Sequence, residues 1–180
     1  MKKFVLSIIF IAIAVLAFSE ELTGVYGVEL GSTKEEVISV MKSKGWKQDV
    51  PDADELKFIA GTGAGTFGGK KVSSASFSFY DDKCWEISFM YSNFDYGVSV
   101  GDVFAIANAC ATKFELEPYS LTELDKTNAF FQYYKGKGKN EMKLAVLYSM
   151  CFLDFYDKEV MDIKNEAAEK AKNDAINSDL

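Results

Sequence analysis

The chain contains no histidine and no arginine, so any chemistry must come from carboxylates, lysines, hydroxyls or three cysteines. Lack of imidazole removes histidine acid–base catalysis, histidine triads and histidine metal ligands together. Cys84, Cys110 and Cys151 remain as nucleophiles, and a thiol with no imidazole to take its proton is a weak one. Cys110 falls on the apolar face of an expected helix and Cys151 in an apolar strand, the pattern of buried thiols acting as small hydrophobes. One disulfide with one thiol left over is the alternative that export would permit. Asp81-Asp82 sits between two alternating runs and reads as turn chemistry. Asp52, Asp54 and Glu55 offer oxygens to calcium but lack the glycine and distal glutamate of an EF-hand loop. Gly63-Ala64-Gly65-Thr66-Phe67-Gly68 matches G-x-G-x-x-G by letter, yet a strand, not a helix, is expected after it. The expectation is a protein that is not an enzyme, with no cofactor and no metal.

Binding residues are easier to nominate. In Val72–Tyr91, Ala75, Phe77 and Phe79 alternate with Ser74, Ser76 and Ser78, and Trp85, Ile87, Phe89 and Tyr91 alternate with Cys84, Glu86, Ser88 and Met90. Period-two alternation sends the two sets to opposite faces of a sheet. The aromatic face must be covered; the face of Ser74, Ser76, Ser78, Glu86 and Ser88 can stay in water and offer a flat binding surface. Phe94 and Tyr96, in the loop that follows, are the second candidates, because exposed aromatics anchor interfaces. Their alternative is to tuck under the sheet edge.

The rest of the chain must position this hairpin. Lys2 and Lys3, the apolar run Phe4–Leu16 and the small residues Ala17 and Ser19 read as a signal peptide over residues 1–19, cleaved before Glu20. An uncleaved anchor is the alternative. The run falls short of the roughly 20 residues a spanning helix needs, so no membrane span is expected after cleavage. Removal of the two lysines takes the formal charge from −7 to −9. An acidic chain without arginine is a poor ligand for nucleic acid. Periplasmic or secreted localisation follows.

From Glu20 the length suits a single compact α+β domain, 20–180. Leu22–Leu30 is an extended lead-in. Ser32 or Thr33 caps a first helix with Glu35 or Glu36 three residues on, and Gly45 ends it. Leu56–Ala60 is a strand, and Gly61–Gly69 a flexible connection or wide hairpin turn. Ser92–Gly101 reads as a loop, Asp102 as the cap of a second helix Val103–Phe114, and Pro118 as its close. Ala129–Lys135 and Lys143–Tyr156 are strands around a lysine-rich hairpin loop, Gly136–Asn140. Met150–Phe155 is apolar on both faces, as a central strand should be. Asp157 caps a final helix (157–178) whose alanine-dominated stripe buries little, so its end is expected to fray or project. Tyr26–Gly31 echoes in Tyr96–Gly101, giving possible pseudo-repeats over 22–93 and 94–156.

Gly31-Ser32-Thr33-Lys34-Glu35-Glu36-Val37 resembles the G-x-T-x-x-x-V opening of the beta-lactamase-inhibitor-protein-like fold, which is similar to that of the small lipoprotein of the outer-membrane assembly machinery. The resemblance implies a helix packed on an antiparallel meander, given twice in the inhibitors, in an exported protein-binding scaffold. The second copy lacks the threonine, and no cysteine stands where a lipoprotein is acylated. The functional expectation is an exported, non-catalytic binding module for another envelope or extracellular protein. The alternatives are an envelope assembly or structural protein docking through its C-terminal helix, a small-ligand binder, or an enzyme.

Overall fold

The computed structural model describes residues 20–49, 54–60, 65–124 and 129–178. The signal segment, Asp52 of the calcium candidate and the start of the G-x-G-x-x-G run lie outside them. In chain order the elements are β1 (Gly24–Val25), β2 (Val28–Glu29), α1 (Lys34–Ser43), β3 (Lys47–Gln48), β4 (Glu55–Ile59), β5 (Thr66–Phe67), β6 (Lys70–Lys71), β7 (Ser74–Tyr80), β8 (Lys83–Ser92), α2 (Asn93–Tyr96), α3 (Val100–Lys113), β9 (Glu117–Leu124), β10 (Ala129–Lys135), β11 (Asn140–Leu147), β12 (Met150–Asp157) and α4 (Lys158–Ser178). The fold is α+β. Eight strands form one antiparallel sheet in the order β3-β4-β7-β8-β12-β11-β10-β9. That order reads the same from either edge: α1 is followed by four strands running inward from one edge, and α3 by four running inward from the other. The halves meet where β8 pairs with β12.

Local chemistry starts each half. Thr33 caps α1: its hydroxyl accepts from Glu36 N, and the Glu36 carboxylate accepts from Thr33 N at 2.8 Å. The Thr33–Glu36 register is thus the one used. In the second half the helix begins earlier than expected. Ser99 is the cap, and Asp102, three residues inside, accepts from Ser99 N at 3.0 Å. A hydroxyl with a carboxylate three residues on satisfies two orphan N–H groups, which a lone Asp102 cap would not. The sequence echo is out of step with this architecture. It aligns Gly31 with Gly101, whereas the caps align Thr33 with Ser99; Tyr26 stands in the β1–β2 turn and Tyr96 closes α2.

Other expectations change. The lead-in is a small hairpin. Within the glycine-rich stretch, β5 and β6 pair around Gly68 and Gly69, both at positive φ. Ser92–Gly101 contains the single-turn helix α2. Lys143–Tyr156 is two strands, β11 and β12, folded at Tyr148-Ser149, with Tyr148 at φ 57°. Pro118 does not end an element but lies in β9, an edge strand, where a missing N–H is tolerated. A register shift beside it leaves Tyr119 as the extra residue against Tyr133/Tyr134.

The core lies on one face. Val37 and Met41 of α1 and Val103, Ile106, Ala107 and Ala111 of α3 join Phe77, Ile87, Phe89, Leu144, Leu153 and Phe155 in a single buried cluster. Phe67 from the β5–β6 hairpin stacks on Phe89, with ring centroids 4.4 Å apart. Met150–Phe155 is indeed central, in β12, between β8 and β11. Asp157 accepts from Glu159 N and Val160 N at the start of α4, as a cap should. Lys164 of α4 lies 5.5 Å from the Trp85 ring, and residues Asn165 to Ala175 are exposed. No described helix is long and apolar enough to cross a membrane.

Candidate functional site

α1 and α3 both pack on the aromatic face, so the opposite face of the sheet carries neither of them. Cross-strand register defines it. Ser78 pairs with Glu86, Ser76 with Ser88 and Ser74 with Met90; Glu86 pairs with Tyr156, Ser88 with Asp154 and Met90 with Phe152. Asp154 in turn pairs with Lys143, and Lys143 with Tyr133. Paired residues in a sheet project to the same side, so Ser74, Ser76, Ser78, Glu86 and Ser88 share a face, as their parity implies.

That face is not the flat, wet serine surface expected. Ser74 is buried, and Ser76, Ser78, Glu86 and Ser88 are half-buried. The last four line a hollow of about 330 Å³ with Glu55 and Asp154. Ser78 Oγ donates to Glu86 Oε2 at 2.9 Å, and Ser88 Oγ donates to Asp154 Oδ1 at 2.5 Å. Lys143 Nζ lies 2.8 Å from Asp154 Oδ2, with the two side chains 23% and 6% exposed. Burial opposes the charge on Lys143, but Asp154 and then Glu86 outweigh it and hold the ammonium above its ordinary pKa. Glu86 is shifted the other way for its charge. Burial raises its carboxyl pKa, Asp154 adds to the rise, and Ser78 and Lys143 only partly offset it.

Beside the hollow, Glu141 accepts from Tyr119 Oη at 2.8 Å and Tyr156 Oη at 3.0 Å. The β9 irregularity gives Tyr119 this contact. Burial, with Glu141 next, pushes the Tyr119 phenol up to about 12. Toward the other end, Met90, Phe131 and Phe152 form an apolar, half-buried strip.

Phe94 and Tyr96 do not tuck under the sheet. Phe94 is 86% exposed and Tyr96 42% exposed, both on α2 at the end of β8. Ser92 caps that turn, and Ser73 Oγ donates to Asp95 at 2.8 Å. Asn93 N donates to Ser149 O at 3.3 Å, tying α2 to the β11–β12 turn, where Tyr148 is 72% exposed. Exposed aromatics from two adjacent turns therefore stand at one end of the sheet. The sequence reading missed Asp154, its pairing with Lys143, and Tyr148. A lone acid in the apolar run Met150–Tyr156 was the available signal for Asp154.

A roomier, more apolar cavity lies elsewhere. A groove of about 750 Å³ runs between α3 and the two small hairpins, walled by Val25, Tyr26, Phe67, Ile106, Cys110 and Phe114. All three cysteines are free thiols. Burial pushes Cys84 up to about 12 and Cys110 and Cys151 up to about 11, so each stays protonated near neutral pH. Among the described residues no three cysteine or carboxylate side chains converge as metal ligands. No protein-family model, no curated protein and no solved structure matches this chain.

Proposed function

We propose that this is an exported, non-catalytic protein-binding module that engages another envelope or extracellular protein through the outer face of its sheet. The observation that carries the reading is the uncovered face itself: α1 and α3 both pack on the other side, while this side combines a polar hollow, an apolar strip and the exposed aromatics Phe94 and Tyr148. A wide sheet face rimmed by projecting aromatics suits a protein partner better than a small substrate. The plan of a helix followed by four strands, given twice, supports the scaffold that the resemblance of Gly31–Val37 implies.

The test is a pull-down with the 20–180 protein from an envelope extract of the cells that make it. One protein should be retained in stoichiometric amount, and lost when Phe94→Ser and Tyr96→Ser are combined without change in circular dichroism. Retention unaffected by that pair and by Phe152→Asp would remove the outer face from the reading. A second reading, binding of a small apolar ligand, is favoured only by the groove between α3 and the hairpins.

A further inference from the structure

Charge on the outer face is unequally matched at its centre. Among the described residues, Glu55, Glu86 and Asp154 line the hollow with a single cation, Lys143. That lysine is committed to Asp154 at 2.8 Å, and Ser88 completes the Asp154 site. Glu86 takes a hydroxyl from Ser78 through one oxygen, and Glu55 stands across Ser78 on the neighbouring strand. Lys57 is on the same face, exposed beside Ser76, and does not line the hollow. Phe131 and Phe152 supply aromatic walls on the other side.

We propose that the sheet face docks a partner protein that inserts an arginine side chain into this hollow, against Glu86 and Glu55. The proposal rests on the outer-face reading above and adds the partner's chemistry to it. Charge complementarity selects a cation, since the hollow holds three carboxylates and one ammonium. The two-carboxylate rim selects guanidinium over ammonium, because a planar fork can bond two carboxylates at once. A half-buried carboxylate with an excess of acid around it is destabilised while empty, and an entering cation relieves that. The chain has no arginine of its own, so a guanidinium must come from another molecule.

Two measurements test this. The ¹⁵N-labelled 20–180 protein is titrated with acetyl-Gly-Arg-Gly-amide and with the same peptide carrying citrulline, a neutral isostere. The arginine peptide should shift the Ser76–Ser78 and Glu86–Ser88 amides along a saturating curve, and the citrulline peptide should not. Equal shifts from both, or none from either, would overturn the proposal. With the captured partner, the combined Glu55→Gln and Glu86→Gln variant should bind about tenfold or more weakly. Each substitution keeps the size of the side chain, and the amide oxygen introduced by Glu86→Gln can still accept from Ser78, so the variant should fold. If the partner binds wild type and this variant alike yet is lost with the Phe94 and Tyr96 changes, the arginine inference fails and the outer-face reading stands. If neither variant matters and Phe152→Asp does not either, both fail.

Discussion

Replacing Lys143 with methionine tests the electrostatic frame of the outer face most sharply. The Asp154 side chain is only 6% exposed, and its partner Lys143 is 23% exposed. Removing the ammonium leaves a buried carboxylate that retains the Ser88 hydroxyl and faces Glu86, whose own pKa Asp154 already helps to raise. Breaking a buried ion pair from one side costs about 3–5 kcal/mol. Water reaches the lysine end of this pair, which points to the lower figure, about 3 kcal/mol. For a chain of this size each kcal/mol is worth about 2–4 °C, so Tm should fall by about 6–12 °C. Asp154→Asn should cost less, because the freed ammonium can turn toward solvent. The double variant should recover most of the loss, since removing both charges also removes their desolvation. Urea unfolding followed by circular dichroism, with m-values compared, gives the cycle. A Lys143→Met change within about 1 kcal/mol of wild type, or a double variant as unstable as the singles summed, would refute the argument that the pair is buried and coupled.

Two further outcomes follow from the same geometry. Because burial raises the Glu86 pKa, the folded chain keeps that proton at pH values where the unfolded chain has released it. Wild-type stability should therefore fall as pH rises from the ordinary glutamate value, about 4.3, through the raised one. Glu86→Gln should flatten that slope and be more stable than wild type at pH 7; urea midpoints between pH 4 and 8 that run parallel would contradict the assignment. For the thiols, a chromogenic aromatic disulfide added without reductant should find all three in urea, and in the native protein Cys110, the half-buried one, should react first. A count of one would establish a disulfide instead.

Much of the architecture is legible where local chemistry and tertiary demand agree. Asp81 and Asp82 both have positive φ, and acids of this kind tolerate that conformation, so the β7–β8 turn announces itself. Parity places Ser74 to Ser88 on one face, and Thr33 with Glu36 marks a helix start. The Tyr148-Ser149 turn was hidden because nothing in its sequence breaks the apolar run. Pairing of β11 with β12 holds Tyr148 in a left-handed conformation its own type disfavours. Missing that turn also hid Lys143 and Asp154 as partners, since they face each other only across it. Ser74 reads as exposed from its type, but its place opposite Met90 on a crowded face buries it.

The site's position follows from how the halves join. Glu86 and Ser88 come from β8 and Asp154 from β12, the two strands at the seam, with Ser78 and Lys143 on the strands flanking them. Central strands have both backbone edges hydrogen-bonded, so they are the least free to shift when a charge is held out of water. A half-buried carboxylate placed on an edge strand could relax toward solvent by local fraying; at the seam it cannot without opening the sheet. Glu86 and Asp154 are thus held in a fixed geometry, and on the reading proposed above that would favour a cation delivered by a partner over a passing ion, whose own hydration a shallow pocket cannot replace.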